Sequence, residues 1–144
     1  MRLSKRTEYG LRAVVQLARH GAETFVQSKD LSHQEGLPNK FLESILLALK
    51  RGEFLESKVG SGGGYRLSRP ARDIRIGDLI RRLEGRLAAK DPAPRGEVSP
   101  GEAGVRFLSQ RLTEATDAVL DEMTLEQLLE HVNRVGTVDA MYYI

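Results

Sequence analysis

Apolar residues recur at helical spacing in two early segments of the chain. Within 7–20 they are Leu11, Val14, Val15, Leu17 and Ala18, and within 39–50 they are Leu42, Ile45, Leu46 and Leu49. Steps of three and four residues place such side chains on one face of a helix. Gly21 and Gly52 follow the two stripes and act as stop signals. The pattern therefore predicts two amphipathic helices.

A shorter helix is predicted between these two. It begins at Ser28 and ends at Gly36, and Leu37-Pro38 forms the turn into the next helix, where proline is tolerated in the first turn. Two helices joined by so short a turn outline a helix-turn-helix. Because many helical bundles contain similar pairs, the outline becomes informative only with the segment that follows it.

The hydrophobic period changes from helical to alternating after Gly52. The short runs 54–59 and 65–68 are separated by Gly60-Ser61-Gly62-Gly63-Gly64, which predicts a β-hairpin. A helix-turn-helix followed directly by a hairpin is a winged helix. Several cations flank the glycines: Lys58, Arg66, Arg69, Arg72 and Arg75.

The glycine-rich loop does not match the phosphate-binding loops of nucleotide enzymes. A Walker loop needs GxxxxGK[ST] with a helix directly after it, whereas the residues after Gly64 alternate like a strand and stop at Pro70. The pattern GxGxxG starting at Gly60 needs glycine at position 65, where Tyr65 stands. Glycines suit a hairpin tip that approaches a phosphate closely, because they adopt positive φ and carry no side chain. The alternative is a plain hairpin with solvated cations.

A long helix with a regular apolar seam is predicted near the C-terminus. The seam recurs at steps of 3, 4, 3 and 4 residues and consists of Val105, Leu108, Leu112, Ala115 and Val119. This is the a/d pattern of about two heptads. A seam on a long helix of a small domain needs a partner helix, and the same helix of a second chain supplies one. The seam therefore predicts a homodimer.

Shorter elements surround this helix. A helix is predicted from Arg75 to about Glu84, and the stretch 88–104, with three prolines and three glycines, predicts a flexible loop. A last helix over 125–132 follows Thr124, a candidate N-cap with Gln127 three residues later.

The distribution of charge also separates the winged-helix part of the chain from the C-terminal helices. Residues 1–86 carry 17 Lys/Arg and 10 Asp/Glu, whereas residues 87–144 carry 5 and 10. A basic part suggests a module that binds a polyanion, beside a second module with another task. We therefore expect a winged helix-turn-helix domain at 1–87, a flexible loop at 88–104 and a helical dimerisation region at 105–144. The fold class is mainly α, an α+β winged helix with a long C-terminal dimerisation helix.

Composition excludes several classes of function. The chain has no cysteine, hence no disulfide, thiolate zinc site or cysteine nucleophile, and its three histidines have no metal-ligand spacing. We expect neither metal nor cofactor, and no catalytic motif indicates an enzyme. No stretch approaches the roughly 20 apolar residues of a membrane span, and the opening residues do not resemble a secretion signal. A cytoplasmic protein without a membrane partner is expected.

Several motifs, in this order, resemble the Rrf2 family of winged-helix transcriptional regulators. They are Met1–Ser4, Tyr9–Ala13, Gly36–Pro38, Phe41–Leu46, Gly62–Leu67 and Ile76–Asp78. The likeness covers residues 1–87 closely and the C-terminal helices loosely. It implies a sequence-specific regulator, a repressor, that binds a pseudo-palindromic operator in double-stranded DNA as a homodimer.

The resemblance also implies which residues meet DNA. Helix 38–50 would enter the major groove with Asn39, Lys40, Glu43 and Ser44. Glu43 stands where some members use a glutamate for base recognition, and a carboxylate accepts a hydrogen bond from cytosine N4; the alternative is a solvated helix charge. The candidates for phosphate contacts, which set register and affinity, are Ser4, Lys5, Tyr9 and Lys29. The wing candidates are Lys58, Gly60, Gly62, Gly63, Gly64, Tyr65 and Arg66.

Two departures from the family pattern change these expectations. Val59 stands where family wings commonly carry an arginine that enters the minor groove, so either Lys58 or Arg66 replaces it or minor-groove reading is weakened. Cluster-binding members place three cysteines before the long helix, whereas 90–96 contains none. The chain therefore belongs with the cluster-free members, and no iron–sulfur site is expected.

A second function from another class stays open at the level of sequence. The winged helix could serve as an interaction module that acts through a partner protein rather than DNA, which the seam and the acidic C-terminal part also suit. A small-molecule or protein co-regulator is a further open partner.

Overall fold

In the part of the chain that the structure describes, the fold consists of six α-helices, a short 3-10 helix at Ala71–Asp73 and one β-hairpin. The computed structural model of the 144-residue chain describes residues 2–85 and 95–142, with side chains as far as residue 135. In chain order the elements are α1 (Lys5–His20), α2 (Ser28–Glu35), α3 (Asn39–Arg51), β1 (Leu55–Lys58), β2 (Gly64–Leu67), α4 (Ile76–Glu84), α5 (Pro100–Glu122) and α6 (Leu125–Tyr142). This order confirms the predicted winged helix-turn-helix, mainly helical and followed by a long helix.

The core of the winged helix is built by the predicted apolar stripes. From α3, Leu42, Ile45, Leu46 and Leu49 are all fully buried. They meet Ala13, Val14 and Leu17 of α1 and the apolar face of α4. The remaining stripe residues of α1, namely Leu11, Val15 and Ala18, are half-buried around this core. Burying α3 on one side fixes which of its residues face outward.

The hairpin is joined to the helices at two places. Its strands pair antiparallel, with Leu55 opposite Leu67 and Glu56 opposite Arg66, and both leucines are buried in the core. On the other edge, Val26 and Tyr65 exchange two backbone hydrogen bonds of 2.8 Å each. The segment between α1 and α2 therefore acts as a short third strand, which sets the position of the wing relative to the helix-turn-helix.

Helix α5 begins earlier than the sequence predicted. It starts at Pro100, not 105, because Ser99 is the N-cap, accepting from the Glu102 N–H at 3.1 Å, and proline is favoured at the first helical position. The predicted loop 88–104 is thus wrong for its last five residues, and its residues 88–94 lie outside the described part of the chain.

Helix α6 is longer than the predicted 125–132. It runs to Tyr142 because Gly136 is accommodated within the helix and no proline follows. Its start is as predicted: the Thr124 N–H donates to Gln127 Oε1 at 2.9 Å, and the Gln127 N–H donates to Thr124 Oγ1 at 3.2 Å. This reciprocal pair is a capping box.

The junction of α5 and α6 is bound to the start of α4. The Ile76 N–H donates to the Met123 carbonyl at 2.9 Å, and the Leu125 N–H donates to the Ile74 carbonyl at 2.8 Å. Nearby, the Arg81 guanidinium lies 2.7 Å from an oxygen of Asp121 and 3.3 Å from one of Asp117. These hydrogen bonds, chiefly that to Asp121, raise the pKa of Arg81. The long helix is therefore fastened to the winged helix near its C-terminal end.

Candidate nucleic-acid interface

The outward face of α3 is the polar face of the helix-turn-helix. Burial of the four core residues turns Asn39, Lys40, Glu43 and Ser44 to solvent, and all four are exposed. A helix with a free polar face of this kind fits the major groove, where side chains reach base edges.

Glu43 is held by two neutral donors. Its Oε1 accepts from Asn39 Nδ2 at 3.3 Å and from Ser28 Oγ at 3.4 Å. Both contacts are long and exposed, so they orient the carboxylate without neutralising it. Among the ion pairs formed within the described residues, none involves Glu43. The carboxylate is therefore free to accept from a donor such as cytosine N4. Ser44, by contrast, directs its hydroxyl to the Phe41 carbonyl at 3.1 Å.

The four residues predicted to contact phosphates differ in how far their side chains are engaged by other residues of the chain. Ser4 caps α1 by accepting from the Thr7 N–H at 3.2 Å, and Lys5 lies 3.3 Å from Glu8 while keeping most of its side chain exposed. Tyr9 packs edge-on against Phe41 of α3, with 5.6 Å between the ring centroids. Lys29, in the first turn of α2, is exposed. Tyr9 thus joins α1 to α3, and the ammonium groups of the two lysines are accessible to solvent.

An acidic residue stabilises the start of α1. Glu84, at the end of α4, accepts the Ser4 N–H at 2.9 Å. Hydrogen bonds from the Thr7 side chain and from the Ser4 side chain and backbone lower the pKa of Glu84. The ionised carboxylate therefore holds the first turn of α1, which carries Lys5.

Glycines shape the wing for two reasons: two of them have no room for a side chain, and two adopt positive φ at the exposed tip. A Cβ at Gly63 would lie 2.2 Å from the Lys58 carbonyl oxygen, and one at Gly64, where φ is +131°, would lie 2.3 Å from the Val26 carbonyl oxygen. Gly60 and Gly62, at φ +94° and +74°, face open space. Gly63 and Gly64 thus hold the backbone close together, while Gly60 and Gly62 turn the exposed tip.

The two candidate wing cations have different surroundings. Arg66 lies 3.1 Å from Glu56 on the opposite strand, and its guanidinium carbon is 4.3 Å from the centre of the Phe25 ring. Lys58 is exposed and its ammonium lies 6.0 Å from the same ring. Arg66 is thus engaged by an ion pair and a close cation–π contact, whereas Lys58 is exposed beside the tip and has only the longer contact with Phe25 among the described residues. Tyr65, the neighbouring candidate, is half-buried against the core.

Phe25 is a functional candidate that sequence reasoning missed. It supports both wing cations although it belongs to the connection between α1 and α2. The available signal was the apolar pair Phe25-Val26 just before α2, isolated from any helical stripe. Two flanking arginines proved to be structural instead: Arg69 donates to the carbonyls of Glu53 and Asp73, and Arg75 donates to the carbonyl of Asp121.

The fold and this polar helix face define a winged helix-turn-helix of the DNA-binding class. The family model for Rrf2, described as "Iron-dependent Transcriptional regulator", matches residues 3–131. The chain therefore belongs to the Rrf2 family and is a DNA-binding transcriptional regulator.

Individual relatives agree with this assignment. A Mycobacterium tuberculosis protein named as an HTH-type transcriptional regulator is 35% identical over 143 residues, covering 94% of this chain and 89% of the relative. CymR of Bacillus subtilis, an HTH-type transcriptional regulator, is 31% identical over the full length of both chains. The solved structure of B. subtilis CymR, the global cysteine regulator, has a TM-score of 0.77 at 29% identity, covering 91% of this chain and 98% of that one. These likenesses favour a DNA-binding regulator over a winged-helix interaction module.

The iron in the family's description does not fit the residues of this chain. A thiolate-bound cluster needs cysteines, and the sequence has none. Among the side chains that the structure describes, which end at residue 135, no three His, Asp or Glu side chains converge on a point where a metal ion could bind. Within residues 2–85 and 95–142, no helix is both long and apolar enough to cross a membrane.

Proposed function

We propose that this regulator is a homodimer that pairs through α5, presents two α3 helices to successive major grooves of a pseudo-palindromic operator, and represses transcription by occupying it. The observation that carries the proposal is the exposed face of α3, on which an ion-pair-free Glu43 is oriented by Asn39 and Ser28.

Pairing through α5 is supported by its surface. The helix has 23 residues and none of them is buried within the single chain. Its seam residues Val105, Leu108, Leu112 and Val119 are 59–65% exposed. A contiguous apolar stripe of this kind on a soluble chain marks a protein interface. Since the seam repeats at heptad spacing, a second α5 is its natural complement.

Base reading by Glu43 is supported by the absence of an ion-pair partner for its carboxylate among the described residues. A carboxylate close to phosphates is repelled unless a donor faces it, so it contributes binding energy at cytosine and opposes binding elsewhere. Lys5, Lys29 and Lys40 would supply phosphate contacts that hold the helix in register and carry no sequence information.

Minor-groove contact by the wing is assigned here to Lys58. Arg66 would have to leave both Glu56 and a close contact with the Phe25 ring to reach DNA, whereas Lys58 adjoins the tip, lies 6.0 Å from that ring and forms no ion pair among the described residues. Arg66 then holds the two strands together, and its replacement by alanine affects binding through the position of the wing.

Selection of binding sites from a random duplex pool tests the proposal. The expected product is an inverted repeat with half-sites about one helical turn apart. Binding that falls by orders of magnitude between low and moderate salt is also expected, because phosphate neutralisation releases counterions. Failure of a confirmed dimer to enrich any sequence at low salt would contradict it; repeating the selection with cell extract would reveal whether a co-regulator had been missing.

Two variants separate base reading from phosphate contact. Glu43→Ala should relax the preference at one base pair in each half-site by about 1–3 kcal/mol, while affinity for unrelated DNA stays constant or rises. Lys29→Ala should weaken binding to all sequences alike and reduce the slope of log affinity against log salt by about two, one for each protomer. An equal loss on all sequences for Glu43→Ala would remove its role in reading the operator.

A further inference from the structure

One apolar side chain interrupts the polar face of α3. Leu47 is 40% exposed, although the residues one turn before and after it on the same face are polar: Glu43 and Ser44, then Arg51. Residues at i, i+3 and i+4 are neighbours on a helix surface, so Leu47 lies beside the carboxylate that we assign to base reading.

The packing of the described residues does not account for Leu47. It belongs neither to the buried core nor to the half-buried set packed around that core. The other exposed apolar residue of α3, Phe41, differs because its ring rests against Tyr9. Single exposed leucines are common on protein surfaces; Leu47 differs from them by its place on the polar face of α3.

The surface that would meet this face is the floor of the major groove. Its apolar feature is the C5 methyl group of thymine, and apolar side chains long enough to reach that methyl recognise it by contact. We propose that Leu47 is a specificity-determining residue that packs on a thymine methyl of the operator. This inference rests on the proposed function, because it requires α3 to lie in the major groove.

Helix geometry limits where the thymine lies. Glu43 and Leu47 are four residues apart, or about 6 Å along the helix axis, and base pairs are spaced by about 3.4 Å. The thymine read by Leu47 should therefore lie within about two base pairs of the cytosine that donates to Glu43. Each half-site would then contain both a cytosine contact and a thymine contact.

Removing single methyl groups from the DNA tests the assignment. In the selected operator each thymine is replaced in turn by deoxyuracil, which pairs identically and lacks only the methyl. One position per half-site, near the cytosine, should lose about fourfold in affinity, the equivalent of about 0.8 kcal/mol for one buried methyl group. The remaining thymines serve as controls within the same duplex.

Protein variants then identify the reader of that methyl. Leu47→Ala should bind the thymine and deoxyuracil operators equally, whereas Leu47→Met, which retains an apolar side chain, should still distinguish them. Both replacements are favourable in helices and are made at a half-exposed position, so folding is preserved. A methyl effect that persists in Leu47→Ala, or that is absent from the wild-type protein, overturns the inference. If wild-type protein selects no operator, the proposed function fails first, and the two failures are distinct.

Discussion

A charge in the seam of α5 should dissociate the dimer. Leu112 lies in the middle of the seam, with Leu108 one turn before it and Ala115 after it. In a paired helix each Leu112 would lie close to its counterpart in the second chain. The change Leu112→Glu therefore removes two apolar side chains and introduces two carboxylates at one place in the interface.

The exposed fraction of Leu112 sets the size of the effect. Full burial of a leucine stabilises by about 1.5–3 kcal/mol, and 60% of this side chain is still exposed in the single chain. About 1–2 kcal/mol per side chain is thus gained on pairing, or about 3 kcal/mol for the two. Losing it raises the dimer dissociation constant about a hundredfold, and repulsion between the glutamates adds to this.

Sedimentation velocity over a series of concentrations measures the change. Gln110→Glu provides a control, since it adds the same charge to α5 on the side opposite the seam, where it replaces only a surface hydrogen bond from Gln110 to Glu114. The control should remain dimeric at concentrations where Leu112→Glu is monomeric, and only the latter should lose operator binding while keeping its helical circular dichroism. An unchanged dimer dissociation constant in Leu112→Glu would refute the assignment of the seam as the dimer interface.

Two further changes test the wing and the start of α1. Gly63→Ala places a methyl 2.2 Å from the Lys58 carbonyl oxygen, so operator affinity measured by fluorescence anisotropy should fall at least about tenfold, whereas Ser61→Ala at the open tip should change it little. Because the fold lowers the pKa of Glu84, its carboxylate stabilises the protein fully above the ordinary value and loses that contribution as the pH falls through the lowered one. Glu84→Gln should therefore be less stable than the wild type at neutral pH, and its unfolding temperature should fall less steeply as the pH is lowered. Parallel curves of unfolding temperature against pH for the two proteins would contradict this.

Periodicity predicted the elements of the winged helix well. The stripes of α1 and α3 have strong helical spacing, and the glycines and Pro38 limit them on both sides, so local chemistry and tertiary packing favour the same boundaries. The prediction of a loop at 100–104 was wrong because the proline and glycines there have the composition of a loop. Ser99 and Pro100 instead form a helix start, which depends on position rather than composition.

The candidate interface was predictable only in part. The exposed face of α3 follows directly from its buried stripe, so Glu43 and its neighbours could be named. The engagement of Arg66 could not, because it depends on the register that sets Glu56 opposite it and on Phe25, which is 41 positions away in sequence. Cations close together in sequence were divided by tertiary contacts into structural residues, such as Arg69, and residues that are available for DNA.

The joint between α4 and the α5–α6 turn determines how a signal could alter DNA binding. Backbone hydrogen bonds at Ile76 and Leu125, with Arg81 between two aspartates, leave little freedom between α5 and the winged helix of the same chain. In the proposed dimer, an effector that changed the angle between the two α5 helices would therefore rotate each winged helix as a rigid body. Such a rotation would change the distance between the two α3 helices, while each helix would keep its own sequence preference. Regulation of this kind would select between operators by the length of their spacer.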